Sequence, residues 1–245
     1  DFLLAKASFG VEIDGVRPHV VEEHLISIVE GRHIKVEESL KKVGLEYTPI
    51  SIELKEGVSC ITGANMGGKT VSLKLVGLLT TMAQHGLLVP AKKMVLGLNN
   101  FIKASIGDIQ STEKGLSTFG GEIKLIQEAI ELSDKKGLIL IDELASGTNP
   151  EEGYALSKAI VEYLLEKESI TLLTTHYDNI GNMDGVVHLQ VIGLSHMELE
   201  ELKKQLEDIS KGELEFINRL MDYRLRRVDK TKAVPKDALN IARIM

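Results

Sequence analysis

A glycine-rich stretch that ends in a lysine and a hydroxyl could bind the phosphates of a nucleotide. Gly63 and Gly68-Lys69-Thr70 have the spacing G-x-x-x-x-G-K-[ST] of a phosphate loop. Glycines let successive backbone N–H groups turn inward around an anion, and a helix that starts there adds its positive dipole end. Lys69 would reach the β- and γ-phosphates, and Thr70 would bind Mg²⁺. The predicted nucleotide-binding residues are Gly63, Ala64, Asn65, Met66, Gly67, Gly68, Lys69 and Thr70.

An acidic pair follows a buried strand at the point where a phosphate-loop protein needs carboxylates. The apolar run that starts at Leu138 ends in Asp142-Glu143. Asp142 could complete the Mg²⁺ shell, and Glu143 could orient or deprotonate the attacking water. Such a pair alone would indicate no more than a helix N-terminus. The phosphate loop earlier in the chain favours the functional interpretation.

Two further positions could contact the terminal phosphate. His176 follows the run Ile170–Thr175, at the carboxyl end of a buried strand, where parallel sheets place their ligands. A lone histidine is more often an ordinary surface or core residue, but one at this edge can hydrogen-bond a γ-phosphate. Ser117 starts a predicted helix, and a hydroxyl with free N–H groups forms an anion site. By itself, Ser117 would be a helix cap.

Strands and helices alternate around these residues, which predicts a parallel sheet covered on both faces. Val58–Ile61 and the later apolar runs have the continuous hydrophobicity of buried strands. Apolar residues at helical spacing, with Gly86 as a C-cap, predict the helices. The predicted strands are 51–55, 58–61, 101–106, 138–142, 170–175, 186–192 and 223–228, and the predicted helices are 70–85, 117–132 and 152–167.

The remaining segments are less distinct. Residues 1–57 read as a lead-in to the core at 58–194, with 1–9 as a helix end or an edge strand and 19–30 ambiguous. Leucines at spacings of three and four predict a small amphipathic helical insertion at 195–222. A solvated excursion is the preferred interpretation of this insertion, and a partner-binding arm is the alternative. Residues 223–245 would return a strand and a helix to the same domain.

Composition narrows the functional classes. The chain has 245 residues, 43% of them hydrophobic and 27% charged, and a formal net charge of −7. That charge argues against a dominant basic face for nucleic acid. The single cysteine, Cys60, lies in a predicted buried strand, so packing is its expected role. No membrane span or signal peptide is predicted, and we expect a cytoplasmic location. Because it begins at Asp1, the chain is expected to be a piece of a longer protein.

Together the motifs resemble the ATPase domain of the MutS family, a branch of the ABC-type ATPases. Ala64 replaces the proline of that family's loop, and Ala145 replaces a glycine. The segments Gly107–Ser111 and Asn149–Gly153 look closer to the second MutS subfamily than to mismatch sensors. The resemblance is carried by Gly63–Thr70 (G-P-N-M-G-G-K-[ST]), Ser117-Thr118-Phe119 with Glu122 (S-T-F-x-x-E), Asp142–Thr148 (D-E-[LI]-G-x-G-T) and Thr175-His176-Tyr177 (T-H-Y).

The resemblance implies a RecA-like fold, an ATPase activity and a homodimer that holds two ATP molecules with Mg²⁺ in its interface. Ser117 and Thr118 of one subunit would then contact the γ-phosphate bound by the other. Tyr47 sits where the family often places a residue near the adenine. The implied catalytic residues are Lys69, Glu143 and His176, and the implied metal ligands are Thr70 and Asp142.

Three functions are compatible with these motifs. The first is the motor of a DNA-repair or recombination protein, with DNA contacts made by parts of a longer chain. No phenylalanine here is followed two positions later by glutamate, so the mismatch-reading motif of the family's sensors is absent from this sequence. The second is a MutS-related ATPase that remodels a partner protein, such as a cobalamin-dependent aminomutase. The third, an inactive nucleotide-binding module, is disfavoured by the intact motif residues.

Overall fold

The computed structural model describes residues 1–63, 68–107, 118–145, 147–193 and 221–229. The helices in these ranges are α1 (Phe2–Glu12), α2 (Ile34–Lys42), α3 (Gly68–Gln84), α4 (Thr118–Leu132), α5 (Pro150–Leu164) and α6 (Asp178–Gly181). The strands are β1 (His19–Val21), β2 (Leu25–Gly31), β3 (Ile50–Lys55), β4 (Gly57–Thr62), β5 (Lys93–Gly97), β6 (Ile102–Ser105), β7 (Leu138–Ile141), β8 (Ile170–Thr174), β9 (Val187–Gly193) and β10 (Asp222–Arg227).

A six-stranded sheet with the order β10-β9-β4-β8-β7-β6 forms the centre of the fold. Its neighbouring strands are parallel except for β10, which pairs antiparallel with β9. Every residue of β4, β7 and β8 is buried, as the continuous apolar runs predicted. The predicted α/β fold, a mostly parallel sheet flanked by helices as in P-loop nucleotide-binding proteins, is confirmed.

A second, four-stranded sheet has the order β1-β5-β2-β3 and mixes parallel and antiparallel pairs. Residues of β3 alternate between buried and exposed, which agrees with the alternation of its sequence. Sequence patterns led to no clear assignment for β1, β2 and α2, and they did not predict β5. Segments this short and this mixed in polarity have weak periodicity, and β5 is held by pairing with strands far away in the chain.

Helix α3 lies between the two sheets. Its residues Leu75 and Leu79 are fully buried in a cluster that includes Ile28 of β2, Leu96 of β5 and Leu172 of β8. Gly86 has φ +68°, and the N–H of Leu87 donates to the carbonyl of Met82, as expected for the predicted C-cap. Because α3 starts at Gly68, its packing between the sheets fixes the position of its first turn, which carries Lys69 and Thr70.

Helices α4 and α5 cover the other face of the six-stranded sheet. Ile126 of α4 and Leu164 of α5 pack in one cluster with Ile139 of β7. Helix α5 begins at Pro150, two residues before the predicted start, because Asn149 is its N-cap and accepts a hydrogen bond from the N–H of Glu152 at 3.0 Å. The helix predicted at 117–132 is confirmed as α4.

Two of the predicted segments fall largely outside the described residues: most of the amphipathic insertion at 195–222 and the helix at the end of the chain. The return strand predicted at 223–228 is confirmed as β10. Among the helices in the described ranges, none is both long enough and apolar enough to cross a membrane.

Cys60 lies in the middle of β4 and is fully buried. Burial raises the pKa of its thiol to about 12, and the nearby carboxylate of Asp178 adds to the shift. Since the thiolate is the reactive form, we expect the folded chain to resist Ellman's reagent at about pH 8 and to release one equivalent after denaturation. Because the folded-state pKa exceeds the ordinary value of 9.0, we also expect stability to fall as the pH rises above 9.0.

Free glutathione under the same conditions controls for the activity of the reagent, and a urea series at two alkaline pH values measures the loss of stability. Rapid stoichiometric labelling of the native chain would show that the strand is not packed as described.

Candidate functional site

The glycine-rich loop leaves the sheet at the carboxyl end of β4, and α3 begins where the loop ends. Gly63 has φ +125°, which only glycine adopts without strain, and a Cβ there would lie 3.4 Å from Val191. The described residues therefore include both ends of the predicted phosphate loop. The four positions between them, Ala64, Asn65, Met66 and Gly67, lie outside the described residues.

Lys69 is buried at the base of this loop. Lys69 is only 4% exposed, and its Nζ donates a hydrogen bond to the carbonyl oxygen of Gly63 at 2.7 Å. Burial lowers the pKa of Lys69, and the carboxylates of Glu143 and Asp142 oppose that shift. A buried ammonium in this position would gain strongly from an anion bound in the loop.

A chain of hydrogen bonds joins the start of α3 to the ends of β7 and β8. The hydroxyl of Thr70 donates to Asp142 Oδ2 at 2.8 Å, and the hydroxyl of Thr174 donates to Asp142 Oδ1 at 2.8 Å. The N–H of Glu143 in turn donates to Thr174 Oγ1 at 2.7 Å. These contacts fix the Asp142 carboxylate and the backbone that carries Glu143.

The two predicted metal ligands are suited to Mg²⁺. Thr70 and Asp142 offer a hydroxyl and a carboxylate whose oxygens are 2.8 Å apart. Magnesium prefers oxygen ligands and usually takes one or two protein groups, with phosphate and water completing its shell. The donor set therefore fits a Mg²⁺ ion that arrives with a nucleotide.

Glu143 and His176 face each other at the open side of this network. His176 Nε2 lies 3.1 Å from Glu143 Oε1, and each side chain is 41% exposed. Glu143 has φ +52°, a left-handed conformation that is uncommon for a residue with a side chain. The arrangement places a carboxylate and an imidazole within reach of solvent, and the carboxylate lies close enough to Lys69 to act on its charge.

A small apolar cavity of about 170 Å³ opens next to the loop. Two aromatic rings line it, Tyr47 from the segment before β3 and Tyr223 from β10. Burial raises the pKa of both phenols. A Cβ on Gly68 would lie 3.0 Å from the ring of Tyr223, so the glycine allows that ring to approach α3. The other lining residues are Val36, Leu40, Thr48, Ile50, Gly68 and Val71.

Sequence reasoning missed two of these side chains. Thr174 was assigned only as strand, although a threonine at the carboxyl end of a buried strand is a signal that could have singled it out. Tyr223 is 155 residues from Gly68 and reaches it only because β10 pairs with β9, so no local pattern predicts its place. Ser117 lies outside the described residues, and α4 begins at Thr118.

Comparisons with known proteins agree with the motifs. The family model for MutS domain V matches residues 59–243. The chain is 43% identical over 183 residues to a protein named Endonuclease MutS2 from Clostridium kluyveri, covering 74% of this chain and 22% of that protein. It is 42% identical over the same length, with the same coverage, to Endonuclease MutS2 from Clostridium botulinum.

The chain thus spans about a fifth of the length of the curated relatives it matches. Their name agrees with the predicted likeness to the second MutS subfamily. The family model extends over well more than half of the chain and takes in the glycine-rich loop, the acidic pair and His176. The chain therefore belongs to the MutS domain V family.

Proposed function

We propose that this chain is an ATPase domain that binds ATP with Mg²⁺, dimerises around it and couples its hydrolysis to the handling of DNA. One observation carries the proposal. The site residues meet at one edge of the sheet, next to Gly63 at the end of β4. Asp142 and Glu143 follow β7, and His176 follows the neighbouring strand β8. Lys69 and Thr70 belong to the start of α3 and contact Gly63 and Asp142, respectively. Ligands of open parallel sheets bind at that edge.

Each residue has a role that its environment supports. Lys69, held at Gly63 by its hydrogen bond, would contact the β- and γ-phosphates. Thr70 and Asp142 would hold Mg²⁺, which neutralises phosphate charge when bound. Glu143 would orient the attacking water and accept its proton, and His176, 3.1 Å away, would hydrogen-bond the γ-phosphate.

The cavity between Tyr47 and Tyr223 suits the base of the nucleotide. It is apolar, it has aromatic rings to stack on, and it adjoins Gly68 at the end of the phosphate loop. Stacking on aromatic rings tolerates any base because every base has a π-face. This cavity supports the placement of Tyr47 near the adenine, and it adds Tyr223 as a second contact.

The DNA context rests on the relatives. Proteins named as endonucleases share 42–43% identity with this chain, and a domain of this kind would act as the motor of a longer protein. Remodelling of a partner enzyme is the alternative, and it needs the same nucleotide chemistry. We propose that the two sheets together form one ATPase domain, with 195–222 as an insertion in it.

The base cavity gives a direct test of the nucleotide site. Replacing Tyr47 by alanine removes a stacking ring, and we expect ATP to bind roughly tenfold more weakly, since such stacking contributes about 1–3 kcal/mol per base. Tyr47→Phe keeps the ring. Because this variant retains the stacking ring, we expect wild-type affinity for ATP. Titration with a fluorescent ATP analogue, alongside phosphate release, measures both.

Tyr163 provides the matched control, because it is an exposed tyrosine on α5. Tyr163→Ala should bind ATP as the wild type does. If the wild-type chain neither binds nor hydrolyses ATP, the proposed function is wrong. If Tyr47→Ala binds normally, the base lies elsewhere.

A further inference from the structure

The loop that carries Glu143 has an unusual backbone. Glu143 has φ +52° and Ala145 has φ +58°, so two residues with side chains adopt the left-handed conformation within three positions. This conformation is disfavoured for a residue that carries a Cβ, because the Cβ comes too close to the following carbonyl oxygen. Ala145 is also fully buried, so it packs in a fixed place. Surrounding contacts must therefore hold the loop in this shape.

Three elements donate or accept the hydrogen bonds that hold it: β8, α4 and α5. Thr174 of β8 accepts two of these bonds. Its hydroxyl accepts from the N–H of Glu143, and its carbonyl accepts from the N–H of Leu144 at 3.2 Å. Glu122 Oε1 of α4 accepts a third bond, from the N–H of Ala145 at 3.0 Å. Ser157 Oγ of α5 donates to the carbonyl of Leu144 at 3.3 Å, so both covering helices contact the loop. The contact from Glu122 is the one made to the N–H of Ala145.

The opposite side of the loop has little room. A Cβ on Gly153 would lie 2.8 Å from the carbonyl oxygen of Ala145 and 2.5 Å from the hydroxyl of Tyr177. The residue Ala145 thus lies between α5, which approaches its carbonyl oxygen at Gly153, and the carboxylate of Glu122 on α4, which accepts from its N–H. A shift of α4 relative to α5 would change the donor–acceptor distance at Ala145, because the close approach at Gly153 and the hydrogen bond from Ser157 hold the loop against α5.

We propose that Glu122 is a positioning residue, whose hydrogen bond to the Ala145 amide holds Glu143 in its reactive orientation and makes hydrolysis depend on the position of α4. This inference rests on the proposed function, in which Glu143 activates water. Helix α4 begins next to Ser117, the residue proposed to contact the partner's nucleotide. If α4 moves when a dimer closes, the hydrogen bond between Glu122 and Ala145 would transmit that movement to Glu143.

The chemistry of Glu122 supports this role. A carboxylate that accepts from a backbone N–H forms a charge-assisted hydrogen bond, which is stronger than a neutral one. Glu122 is half-buried, and burial raises its pKa while the hydrogen bond from Ala145 opposes the shift. The chain thus keeps a carboxylate where desolvation disfavours it, in contact with the peptide two residues after Glu143.

Three variants of one helix test the proposal. Glu122→Ala removes the acceptor, Glu122→Gln keeps an oxygen that can accept, and Glu131→Ala removes an exposed carboxylate of the same helix as the control. We expect kcat of Glu122→Ala to fall about tenfold or more while the dissociation constant for ATP stays within about twofold, since small misplacements of catalytic groups act on the chemical step. Glu122→Gln and Glu131→Ala should retain most of the turnover.

Amide hydrogen exchange provides a readout that does not depend on turnover. We expect exchange at Ala145 to be faster in Glu122→Ala and unchanged in Glu122→Gln and Glu131→Ala. Should Glu122→Ala fail to fold, Glu122→Asp keeps the charge but shortens the reach, and the same faster exchange is expected. If the wild type lacks ATPase activity, the proposed function fails, while the exchange data still decide whether Glu122 holds the loop.

A second background separates positioning from general stability. Ala145→Gly adopts the left-handed conformation without strain, so its loop should depend less on Glu122. We therefore expect the loss of kcat caused by Glu122→Ala to be several-fold smaller in the Ala145→Gly background. The proposal is overturned if Glu122→Gln loses as much turnover as Glu122→Ala, or if exchange at Ala145 is the same in every variant.

Discussion

Replacing Lys69 by alanine should lower ATP turnover by about a hundredfold or more, as removal of a single buried donor to transition-state charge does in other enzymes. The ammonium of Lys69 is buried, it is held at Gly63 by a hydrogen bond of 2.7 Å, and it lies in the field of Asp142 and Glu143. It is thus placed to stabilise negative charge that grows on the phosphates. Phosphate release at saturating ATP, together with fluorescent-ATP binding, measures the loss.

Two further variants make this result specific. Lys69→Met keeps most of the buried stem and removes only the charge, so its turnover should fall as far as that of Lys69→Ala. Lys74→Ala removes an exposed lysine from the same helix and should leave turnover unchanged. Normal turnover in Lys69→Met would show that the loop does not use this ammonium.

The same variants separate function from folding. Burial lowers the pKa of Lys69 in the nucleotide-free chain, which means that the charged form is less favourable folded than unfolded. Removing the charge should therefore not destabilise the nucleotide-free protein at neutral pH, where lysine in the unfolded chain is protonated. If Lys69→Met unfolds at the same denaturant concentration as the wild type but no longer hydrolyses ATP, the loss of turnover comes from the chemical step and not from unfolding.

The sequence predicted those parts of the site that follow from local patterns. Gly63, Lys69 and Thr70 lie in one short loop, and Asp142 and Glu143 end an apolar run, so strand periodicity alone places them at one edge of a parallel sheet. The structure brings Thr70 and Asp142 within 2.8 Å of each other although 72 residues separate them. Parallel pairing of β4, β8 and β7 is the physical reason, since it aligns their carboxyl ends.

Contacts that depend on packing between distant elements could not be predicted. Tyr223 joins the base cavity through the pairing of β10 with β9, and the bond from Glu122 to Ala145 depends on how α4 lies over the sheet. The four-stranded sheet was missed for a related reason. Its strand β5 has few residues and a mixed pattern, and it pairs with partners that lie 64 to 76 residues earlier in the chain, in β2 and β1.

Replacing Glu143 by glutamine should stop hydrolysis while leaving ATP in place, and so accumulate an ATP-bound dimer. Glutamine keeps the size of the side chain but is a far weaker base, and loss of general base catalysis typically costs about 10²- to 10⁴-fold in rate. If the second half of each ATP site comes from the partner, bound ATP holds two chains together until it is hydrolysed. Light scattering coupled to size exclusion should then report twice the monomer mass of 26.9 kDa with ATP, and the monomer mass with ADP or without nucleotide.

Two controls distinguish this mechanism from other sources of association. Glu151→Gln makes the same chemical change at an exposed position in the first turn of α5, and it should turn over ATP and show no stable dimer. Ser117→Arg in the Glu143→Gln background would crowd the partner's phosphate. We expect that double variant to bind ATP through the Gly63 loop of its own chain and to stay monomeric.

Equal mass of Glu143→Gln in every nucleotide state would contradict a composite site. Two chains held together without nucleotide would point to a constitutive dimer, and the amphipathic segment predicted at 195–222 would be the first interface to test. If Glu143→Gln stays monomeric, binds ATP and does not hydrolyse it, the result would support the role of Glu143 in hydrolysis. It would also show that the site does not require Ser117 of a partner. The three results assign the second half of the site to the partner's α4, to an interface elsewhere in the chain, or to the monomer itself.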